Sequence, residues 1–384
     1  MTALETFLDG IGLLKLNIPT AIMVLLALLL MYLAVKKGFE PLLLMPLSFG
    51  MLIANIPITG LSAFDEGGLI YYLYQGIKLG IYPPLIFLCL GALTDFGPLI
   101  AAPKSMFIGI GGQLGIFTAL WLALTLGPLF APYIPGFDGF TIQEACSIAI
   151  IGSSDGPTTI YTAIRLAPDI LPNVAIAAYS YMALVPMIQP PIMRLLTTPT
   201  ERVIVMPKQS AVTKRQKMLF PVWMTLLCLF LVPAAAALIA MLMFGNFIRE
   251  CGAVDRYIDT LQTHLLYILT ILIGMCIGAT ATADSILQPK TLMIICLGLI
   301  AFAFGTVGGV LMAKFLCWIT GGKVNPLIGN SGVSAMPMAA RVSQKIGQQY
   351  NPKNHLIMHA MGPIVASTIG SAVVAGIFIS LFGG

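Results

Sequence analysis

The sequence has very few charged residues for a chain of 384 residues. Asp, Glu, Lys and Arg make up 9% of it, whereas hydrophobic residues make up 58%. Soluble proteins carry roughly 25% charged residues, so this chain has too few to cover the surface of a water-soluble fold. The scarcity excludes a soluble enzyme, a nucleic-acid-binding protein and a disordered chain. It indicates an all-α polytopic membrane protein in a lipid bilayer.

Several functional motifs are also missing. The three His and seven Cys are scattered and show no CxxC spacing, which indicates free cysteines and no metal cluster. There is no Walker A motif, no Rossmann fingerprint and no K⁺-channel filter. ATP bound to this chain is therefore not its energy source. Energy must come from another ion's gradient or from chemistry delivered by another subunit.

Nine apolar runs are long enough to cross a hydrocarbon core of roughly 30 Å, which needs about 20 residues. They span residues 18–35, 41–58, 82–99, 105–131, 173–196, 218–245, 261–281, 291–318 and 355–382. Two further stretches, 141–168 and 325–346, are apolar but interrupted by Gly, Pro, Ser and charge. Counted as discontinuous helices, they bring the expected total to about eleven transmembrane segments. Glu5 and Asp9 precede the first run, so we expect a retained helix rather than a signal peptide.

A basic linker, residues 197–217, separates two halves of the chain. With its flank it holds six basic residues against the single acid Glu201: Arg194, Arg202, Lys208, Lys214, Arg215 and Lys217. The positive-inside rule places it in the cytoplasm, on the inner side of a bacterial cell membrane. Six expected segments precede it and five follow, which predicts a cytoplasmic N-terminus and an external C-terminus. Lys36 and Lys37 favour the opposite orientation, because a cytoplasmic N-terminus would place their loop outside the cell.

The two halves resemble each other. GALTDFGPLIAAPK (91–104) parallels GATATADSILQPK (278–290), and GSSDGPTTIYTAIR (152–165) parallels GNSGVSAMPMAAR (329–341). We interpret residues 1–40 as an extra N-terminal helix, and 41–196 and 218–384 as two repeats of about five elements. An odd number of crossings per repeat gives the inverted repeats of secondary transporters, with paired discontinuous helices near the midplane. The alternative is a chance likeness between Gly- and Pro-containing apolar helices.

Asp155 is the most informative single residue. It lies between apolar segments, where a carboxylate must be paired, protonated or bound to a cation. Gly156 and Pro157 break the helix beside it and free backbone carbonyls. Hydroxyl groups that would complete an all-oxygen shell for a cation such as Na⁺ belong to Ser153, Ser154, Thr158 and Thr159. The alternative is an Asp at the membrane surface that only caps the next helix.

The matching motif of the second half, NPLIGNSGVS (325–334), offers amide and hydroxyl oxygens but no carboxylate. In an inverted repeat it should face Asp155. We therefore count Asn325, Gly329, Asn330 and Ser334 as candidate Na⁺ ligands. Close helix packing by the glycines is the alternative explanation.

Two further side chains in apolar surroundings are candidates for chemistry. Arg341 lies just beyond the second break and could balance Asp155 or receive an anionic group. Arg165 has the corresponding position in the first half, and extension of its side chain to the interface is an equally good explanation. Tyr181 could relay a proton or bind an ion, or it could simply be a hydrogen-bonded packing residue.

These motifs carry a family resemblance. SDGPT, AAYSYMALVPMIQPPIMR, NPLIGNSGVSAMPMAARVSQK and MHAMGP are similar to the beta subunit of sodium-translocating decarboxylases, which act on oxaloacetate, methylmalonyl-CoA or glutaconyl-CoA. The resemblance covers nearly the whole chain. It implies a membrane subunit that decarboxylates carboxybiotin, consumes a proton and exports Na⁺. Biotin would be carried by a partner subunit and would not be bound covalently to this chain.

The resemblance also implies roles and partners. Asp155, Tyr181, Asn325, Gly329, Ser334 and Arg341 match positions that the family uses for sodium handling and proton supply. We expect Arg341 and Asn325 to meet carboxybiotin, and Asp155, Tyr181, Ser334 and Arg341 to act in catalysis. Implied partners are a carboxyltransferase subunit, a biotin carrier subunit, a small single-span membrane subunit and further beta subunits. The alternative function is a stand-alone Na⁺-coupled carrier of organic anions.

Overall fold

Helices dominate the chain and are separated by short turns. The computed structural model describes residues 10–38 and 41–383, and no strand occurs in these ranges. Glu5 and Asp9 lie outside them. Six described helices are long and apolar enough to cross a membrane, or up to eight if each of two bent pairs is counted as one span. The all-helical membrane class is therefore confirmed, and the count of eleven segments stays a prediction.

Of the helices in the described residues we number fourteen in chain order and leave short ones such as Gly97–Ala101, Pro199–Arg202 and Ala283–Ile286 unnumbered. The numbered helices are α1 (Ile18–Lys37), α2 (Pro41–Ala54), α3 (Leu69–Lys78), α4 (Tyr82–Leu93), α5 (Pro103–Tyr133), α6 (Ile142–Ser153), α7 (Gly156–Leu166), α8 (Leu171–Leu196), α9 (Lys214–Leu231), α10 (Ala236–Cys251), α11 (Asp255–Thr280), α12 (Pro289–Ile319), α13 (Met338–Tyr350) and α14 (Ile357–Phe382). A short 3₁₀ helix, Pro326–Gly332, precedes α13.

The apolar run 218–245 is two helices rather than the expected one. Helix α9 ends at Leu231 and α10 begins at Ala236, with Pro233 between them. Proline lacks the N–H that an uninterrupted helix needs, so the chain turns there. The two helices form a hairpin, because a Cβ on Gly252, just past α10, would lie 3.3 Å from Nζ of Lys214 in the first turn of α9.

The bundle has two ends, which we call the linker end and the far end. Lys217 Nζ bonds to Asp95 Oδ1 at 2.7 Å and Lys314 Nζ to the Leu196 carbonyl at 2.9 Å, so the end of α12 lies at the linker end. The start of α1 borders the same cavity as the end of α2 and the segment before α12, at the far end. Helix α1 therefore ends at the linker end, together with Lys36 and Lys37.

Helices α6 and α7 form a hairpin, hairpin A (residues 142–166), that enters and leaves at the far end. At its start Glu144 Oε1 pairs with Lys290 Nζ at 2.6 Å, in the first turn of α12. At its close Leu166 packs against Gly383, just after α14. The tip reaches the middle of the bundle, where Gly152 packs against the backbone of α5.

The 3₁₀ helix and α13 form a second hairpin, hairpin B (residues 326–350), that enters and leaves at the linker end. The buried Arg202 holds its base: the guanidinium donates to Tyr350 Oη at 2.8 Å, and the Arg202 carbonyl accepts from Asn325 Nδ2 at 3.2 Å and Asn354 Nδ2 at 3.1 Å. The tips of the two hairpins meet through one backbone bond, in which Ser334 N donates to the Ser153 carbonyl at 2.8 Å.

Among the helix pairs that pack closely through glycine are α2 with α11 and α4 with α10. In each pair a glycine of either helix faces a carbonyl oxygen of the other, with no room for a Cβ. The four contacts are Gly50 with Met275, Gly278 with Leu47, Gly91 with Leu242, and Gly245 with Leu88. Small residues of this kind allow helix backbones to approach closely in apolar surroundings.

Substituting Gly245 by Ala should destabilise the protein by about 1–3 kcal/mol, because the added methyl group would overlap the Leu88 carbonyl. The measurement is the thermal unfolding midpoint in detergent. The matched control is Gly347→Ala, where the nearest atom is the mobile end of Leu356 at 2.8 Å. Equal midpoints for both variants would contradict the close packing of α4 and α10.

Candidate functional site

Asp155 lies at the tip of hairpin A as the N-cap of α7. Its Oδ1 accepts a hydrogen bond from Thr158 N at 3.2 Å. The preceding Ser154 adopts the left-handed conformation at φ +56°, which turns the chain sharply. Gly156 leaves room for the ring of Tyr179, which a Cβ would meet. The expected helix break at Asp155 is therefore present, and the Asp is both a cap and a buried group.

The carboxylate of Asp155 is buried without a cationic partner. Asp155 is 3% exposed, and no Lys, Arg or His among the described residues pairs with its carboxylate. Oδ2 accepts one hydrogen bond, from Ser371 Oγ of α14 at 2.7 Å. A carboxylate in apolar surroundings is unfavourable unless a proton or a cation neutralises it.

Three neighbouring hydroxyl oxygens are buried and have no hydrogen-bond partner. They belong to Ser154, Thr158 and Tyr179. Such groups are rare in folded proteins, and each keeps lone pairs free for another ligand. A hard cation such as Na⁺ prefers a shell of oxygens of this kind. The described residues hold no group of His, Cys, Asp and Glu that suits a transition metal.

A cavity of about 130 Å³ joins this site to the linker end. Asp155, Tyr179, Ser334 and Thr368 line its inner part. Its remaining walls are mainly apolar and come from α2, α4 and α11, with single residues of α7 and α8 and three residues of hairpin B. They include Leu42 in the first turn of α2 and Leu93 at the end of α4, both at the linker end. An ion or a small substrate arriving at the linker end could therefore reach Asp155.

Ser153 and Ser334, both candidate ligands from the sequence, meet beside Asp155. The Ser153 hydroxyl is used within its own turn, where it donates to the Ile150 carbonyl at 2.7 Å. Its carbonyl receives the backbone N–H of Ser334. Ser334 Oγ donates to Ser367 Oγ at 3.2 Å and lies 3.5 Å from Ser371 Oγ.

The other candidates of hairpin B hold the hairpin in place. Asn325 Nδ2 donates to the linker carbonyls of Arg202 and Ile204, and Gly329 packs on the backbone of α12. Asn330 Nδ2 donates to Gln189 Oε1 at 2.8 Å and to the Ala339 carbonyl at 2.9 Å. Asn325, Gly329 and Asn330 do not line the Asp155 cavity in this conformation.

Tyr181 and Arg341 also point elsewhere. The Tyr181 hydroxyl donates to the Ile295 carbonyl of α12. The side chain of Arg341 is exposed on α13 and makes no hydrogen bond or ion pair with any described residue. Arg165 is exposed at the far end and lies over the Tyr161 ring. Neither arginine balances Asp155 in this conformation.

Sequence reasoning missed Tyr179, Ser371 and Thr368. Tyr179 and Tyr181 are two residues apart on one helix, so their side chains leave on different faces and only one can line the site. The helical spacing of Ser367, Thr368 and Ser371 in α14 was a usable signal, because residues three and four apart share a helix face.

Comparisons with known proteins agree over the whole chain. Residues 19–382 match the family described as Na⁺-transporting oxaloacetate decarboxylase beta subunit. The chain is 49% identical to methylmalonyl-CoA decarboxylase subunit beta of Propionigenium modestum, with 100% of both chains covered. It is 48% identical to glutaconyl-CoA decarboxylase subunit beta of Acidaminococcus fermentans, covering 100% of this chain and 99% of that one. It is 45% identical to oxaloacetate decarboxylase beta chain 2 of Salmonella typhi, with 99% of each chain covered.

Replacing Tyr179 by Phe tests whether its hydroxyl serves an ion. The hydroxyl has no partner in the protein, so its loss should leave the unfolding temperature without Na⁺ unchanged or slightly higher. The rise in unfolding temperature on adding Na⁺ should shrink. Tyr181→Phe is the control and should lower stability with or without Na⁺, because it removes the bond to Ile295. An unaltered Na⁺ response in Tyr179→Phe would contradict a role for this hydroxyl.

Proposed function

Because the chain belongs to the family of Na⁺-transporting oxaloacetate decarboxylase beta subunits, we propose that it decarboxylates carboxybiotin presented by a partner subunit and couples this reaction to Na⁺ export. The family makes it a membrane subunit of a decarboxylase pump. The observation that carries the finer proposal is Asp155, a buried carboxylate without a cationic partner, beside unpaired oxygens in a cavity that leads to the linker end.

The coupling rests on what can neutralise Asp155. In carboxybiotin decarboxylation the N–CO₂ bond breaks, its electron pair stays on the ring nitrogen, and that nitrogen takes up one proton as CO₂ leaves. A protonated Asp155 releases its proton when Na⁺ enters beside it, since the buried group needs only one neutralising charge. Exchange of H⁺ for Na⁺ at Asp155 thus joins proton consumption to ion binding. Tyr181 or Ser334 passes the proton toward carboxybiotin.

The ligands and the substrate contact divide between the two hairpins. Asp155 and Ser334 provide Na⁺ ligands from facing tips, with Ser154 and Tyr179 near enough to add oxygens. Ser153, Asn325, Gly329 and Asn330 stay predicted ligands. In this conformation Ser153 joins the two tips, while Asn325, Gly329 and Asn330 hold hairpin B in place. Arg341 meets the carboxylate of carboxybiotin, which its exposure and lack of a partner support.

The two halves are inverted repeats, and the glycine contacts support this. Gly91 and Gly278 are equivalent, because they begin the matched segments, and Leu88 and Met275 each lie three residues before them. Met275 therefore corresponds to Leu88, and each faces a glycine of the partner helix: Gly50 faces Met275, and Gly245 faces Leu88. Hairpins A and B enter from opposite ends, as inversion requires. With α9 as a separate helix, the second half also gains a counterpart of α1.

The linker end faces the cytoplasm of a bacterial cell. Most Lys and Arg lie there, including Lys36 and Lys37, whereas Asp65, Glu66 and Asp169 lie at the far end. With Lys36 and Lys37 at the same end as the linker, both basic clusters support one orientation under the positive-inside rule. Hairpin A returns to the far end and so does not count as a crossing. The start of α1 therefore lies outside with the C-terminus, whereas six crossings before the linker had predicted a cytoplasmic N-terminus.

The carboxyltransferase and biotin carrier subunits dock at the linker end.

Within the membrane the subunit has further partners. The exposed apolar side chains on its helices face lipid, a small single-span subunit and other beta subunits. Which carboxylic acid the complex consumes is decided by the carboxyltransferase subunit, because carboxybiotin is the same whatever its source.

The Asp155→Asn variant in reconstituted vesicles tests the coupling. The amide cannot exchange H⁺ for Na⁺, so Na⁺ accumulation during decarboxylation should fall at least about 100-fold. The controls are the unaltered complex and Asp95→Asn, whose carboxylate pairs with Lys217 away from the cavity. Normal Na⁺ accumulation by Asp155→Asn would contradict the proposed role of Asp155 in coupling. Na⁺ transport by the purified chain without carboxybiotin, carrier or carboxyltransferase would instead favour a stand-alone organic-anion carrier.

Cysteine labelling in intact cells tests the orientation. In a background without the seven native cysteines, Thr59→Cys at the far end should react with a membrane-impermeant maleimide. Ser210→Cys in the linker should react only after the cells are opened. The reverse pattern would contradict a cytoplasmic linker.

A further inference from the structure

A chain of hydrogen-bonding side chains runs from Asp155 through Ser334 and ends at a buried glutamine. Asp155 Oδ2 accepts from Ser371 Oγ at 2.7 Å, and Ser371 Oγ lies 3.5 Å from Ser334 Oγ. Ser334 Oγ donates to Ser367 Oγ at 3.2 Å, and Ser367 Oγ also accepts from Gln113 Nε2 at 3.1 Å. The chain thus connects α7, hairpin B, α14 and α5.

The orientation of the Gln113 amide is determined by its neighbours. Besides Ser367 Oγ, its Nε2 faces the carbonyl oxygens of Gly109 at 3.3 Å and Ser367 at 3.4 Å. A flipped amide would point Oε1 at both carbonyls, and two acceptors repel each other. The amide nitrogen must therefore face Ser367 Oγ, and it can only donate there.

The Gln113 donor holds the Ser367 hydroxyl oxygen in the position where it accepts from Ser334 Oγ at 3.2 Å. Ser367 Oγ uses its lone pairs to accept from Gln113 and from Ser334, so the Ser334 proton points away from Asp155. The Ser371 proton is donated to Asp155 Oδ2 at 2.7 Å or to the Thr368 carbonyl at 3.0 Å, and neither direction points it at Ser334. No hydrogen is then left between Ser334 Oγ and Ser371 Oγ, and lone pairs face each other across 3.5 Å beside a carboxylate.

Such an arrangement suits a cation. Two oxygens at that separation are spaced like neighbouring ligands of an ion held at about 2.3–2.6 Å, the range for a hard cation of this size. Without the Gln113 donor, the Ser334 hydroxyl could turn its proton toward Ser371 and Asp155. That orientation would favour an empty or protonated site over one that holds Na⁺.

Packing alone does not account for the amide. Gln113 is 7% exposed, and its Oε1 is buried without a hydrogen-bond partner. A buried acceptor in this state is unfavourable. A Met would fill the same space without that penalty, so the N–H of Gln113 is the feature that the position uses.

We propose that Gln113 is a positioning residue that acts through Ser367 to present the lone pairs of Ser334 to the transported cation. The proposal rests on the proposed function, since it deepens the Na⁺ site at Asp155 and Ser334. Gln113 does not touch the ion. Through the orientation of the Ser367 and Ser334 hydroxyl groups, it sets the preference of the site for a cation over a proton.

The test compares Gln113→Met, Ser367→Ala and the double variant in the whole purified complex. The readouts are decarboxylation rate against Na⁺ concentration and the pH dependence of the Na⁺ concentration for half-maximal rate. Each single variant should raise that concentration about five- to tenfold, more strongly at low pH, and keep the rate at saturating Na⁺ within about twofold. The double variant should match Ser367→Ala alone, because Gln113 acts through Ser367.

The matched control is Thr306→Val, which removes a buried hydroxyl of α12 that bonds only to the Phe302 carbonyl of its own helix. It should leave the Na⁺ dependence unchanged. An unchanged Na⁺ dependence in Gln113→Met, or effects that multiply in the double variant, would overturn the proposal. If Gln113→Met does not assemble, Gln113→Leu takes its place with the same readouts, because it removes the same donor. Absence of any Na⁺ dependence in the unaltered complex would instead overturn the proposed function and this inference with it.

Discussion

The structure depends on satisfying backbone groups where two hairpins end inside an apolar bundle. Each tip interrupts helical hydrogen bonding at a depth where water cannot replace it. The bond from Ser334 N to the Ser153 carbonyl joins the two tips directly, and glycines on both sides let the surrounding backbones come close enough. Breaks that would be costly alone become favourable as a pair. The same meeting of tips places the Asp155 carboxylate and the Ser334 hydroxyl side by side.

The shortage of charge makes this junction electrostatically sensitive. Nearly every other ionisable side chain of the described helices lies toward one of the two ends, where Lys and Arg can pair or reach water. Asp155 has neither, and its surroundings are serine, threonine and tyrosine oxygens. A neutral oxygen shell around one carboxylate favours a single positive charge, whether H⁺ or Na⁺. The direction of a few hydroxyl protons can then bias the choice between the two.

The linker is tied mechanically to one of the hairpins. Arg202 and its carbonyl bind both ends of hairpin B through Asn325, Tyr350 and Asn354. The linker and the base of hairpin B therefore form one packed unit, and a displacement of the linker acts on the hairpin whose tip carries Ser334. This connection lies at the end of the bundle where the soluble partners are proposed to dock.

The amino-acid sequence by itself determined the class, the family, the helix break at Asp155 and the matching motif at 325–334. These follow from local composition: scarce charge, apolar runs of fixed length, and Gly–Pro pairs that cannot continue a helix. The comparisons confirm the family resemblance that those motifs carried. A motif alone could not show which of its side chains face the site, because neighbouring residues of one helix turn point to different faces of the helix.

Only the tertiary structure decided the rest. It showed that the stretch around Asp155 turns back instead of crossing, that Tyr179 lines the cavity while Tyr181 bonds to α12, and that Asn325 holds the linker. It also brought Ser371, Ser367 and Gln113, far apart in the chain, into one hydrogen-bonded network with Asp155. The physical reason is that every packed contact has two surfaces, which come from distant parts of the chain. A local sequence pattern describes only one of them, so it cannot tell which face of a helix is turned to the site or at which end of the bundle a hairpin emerges.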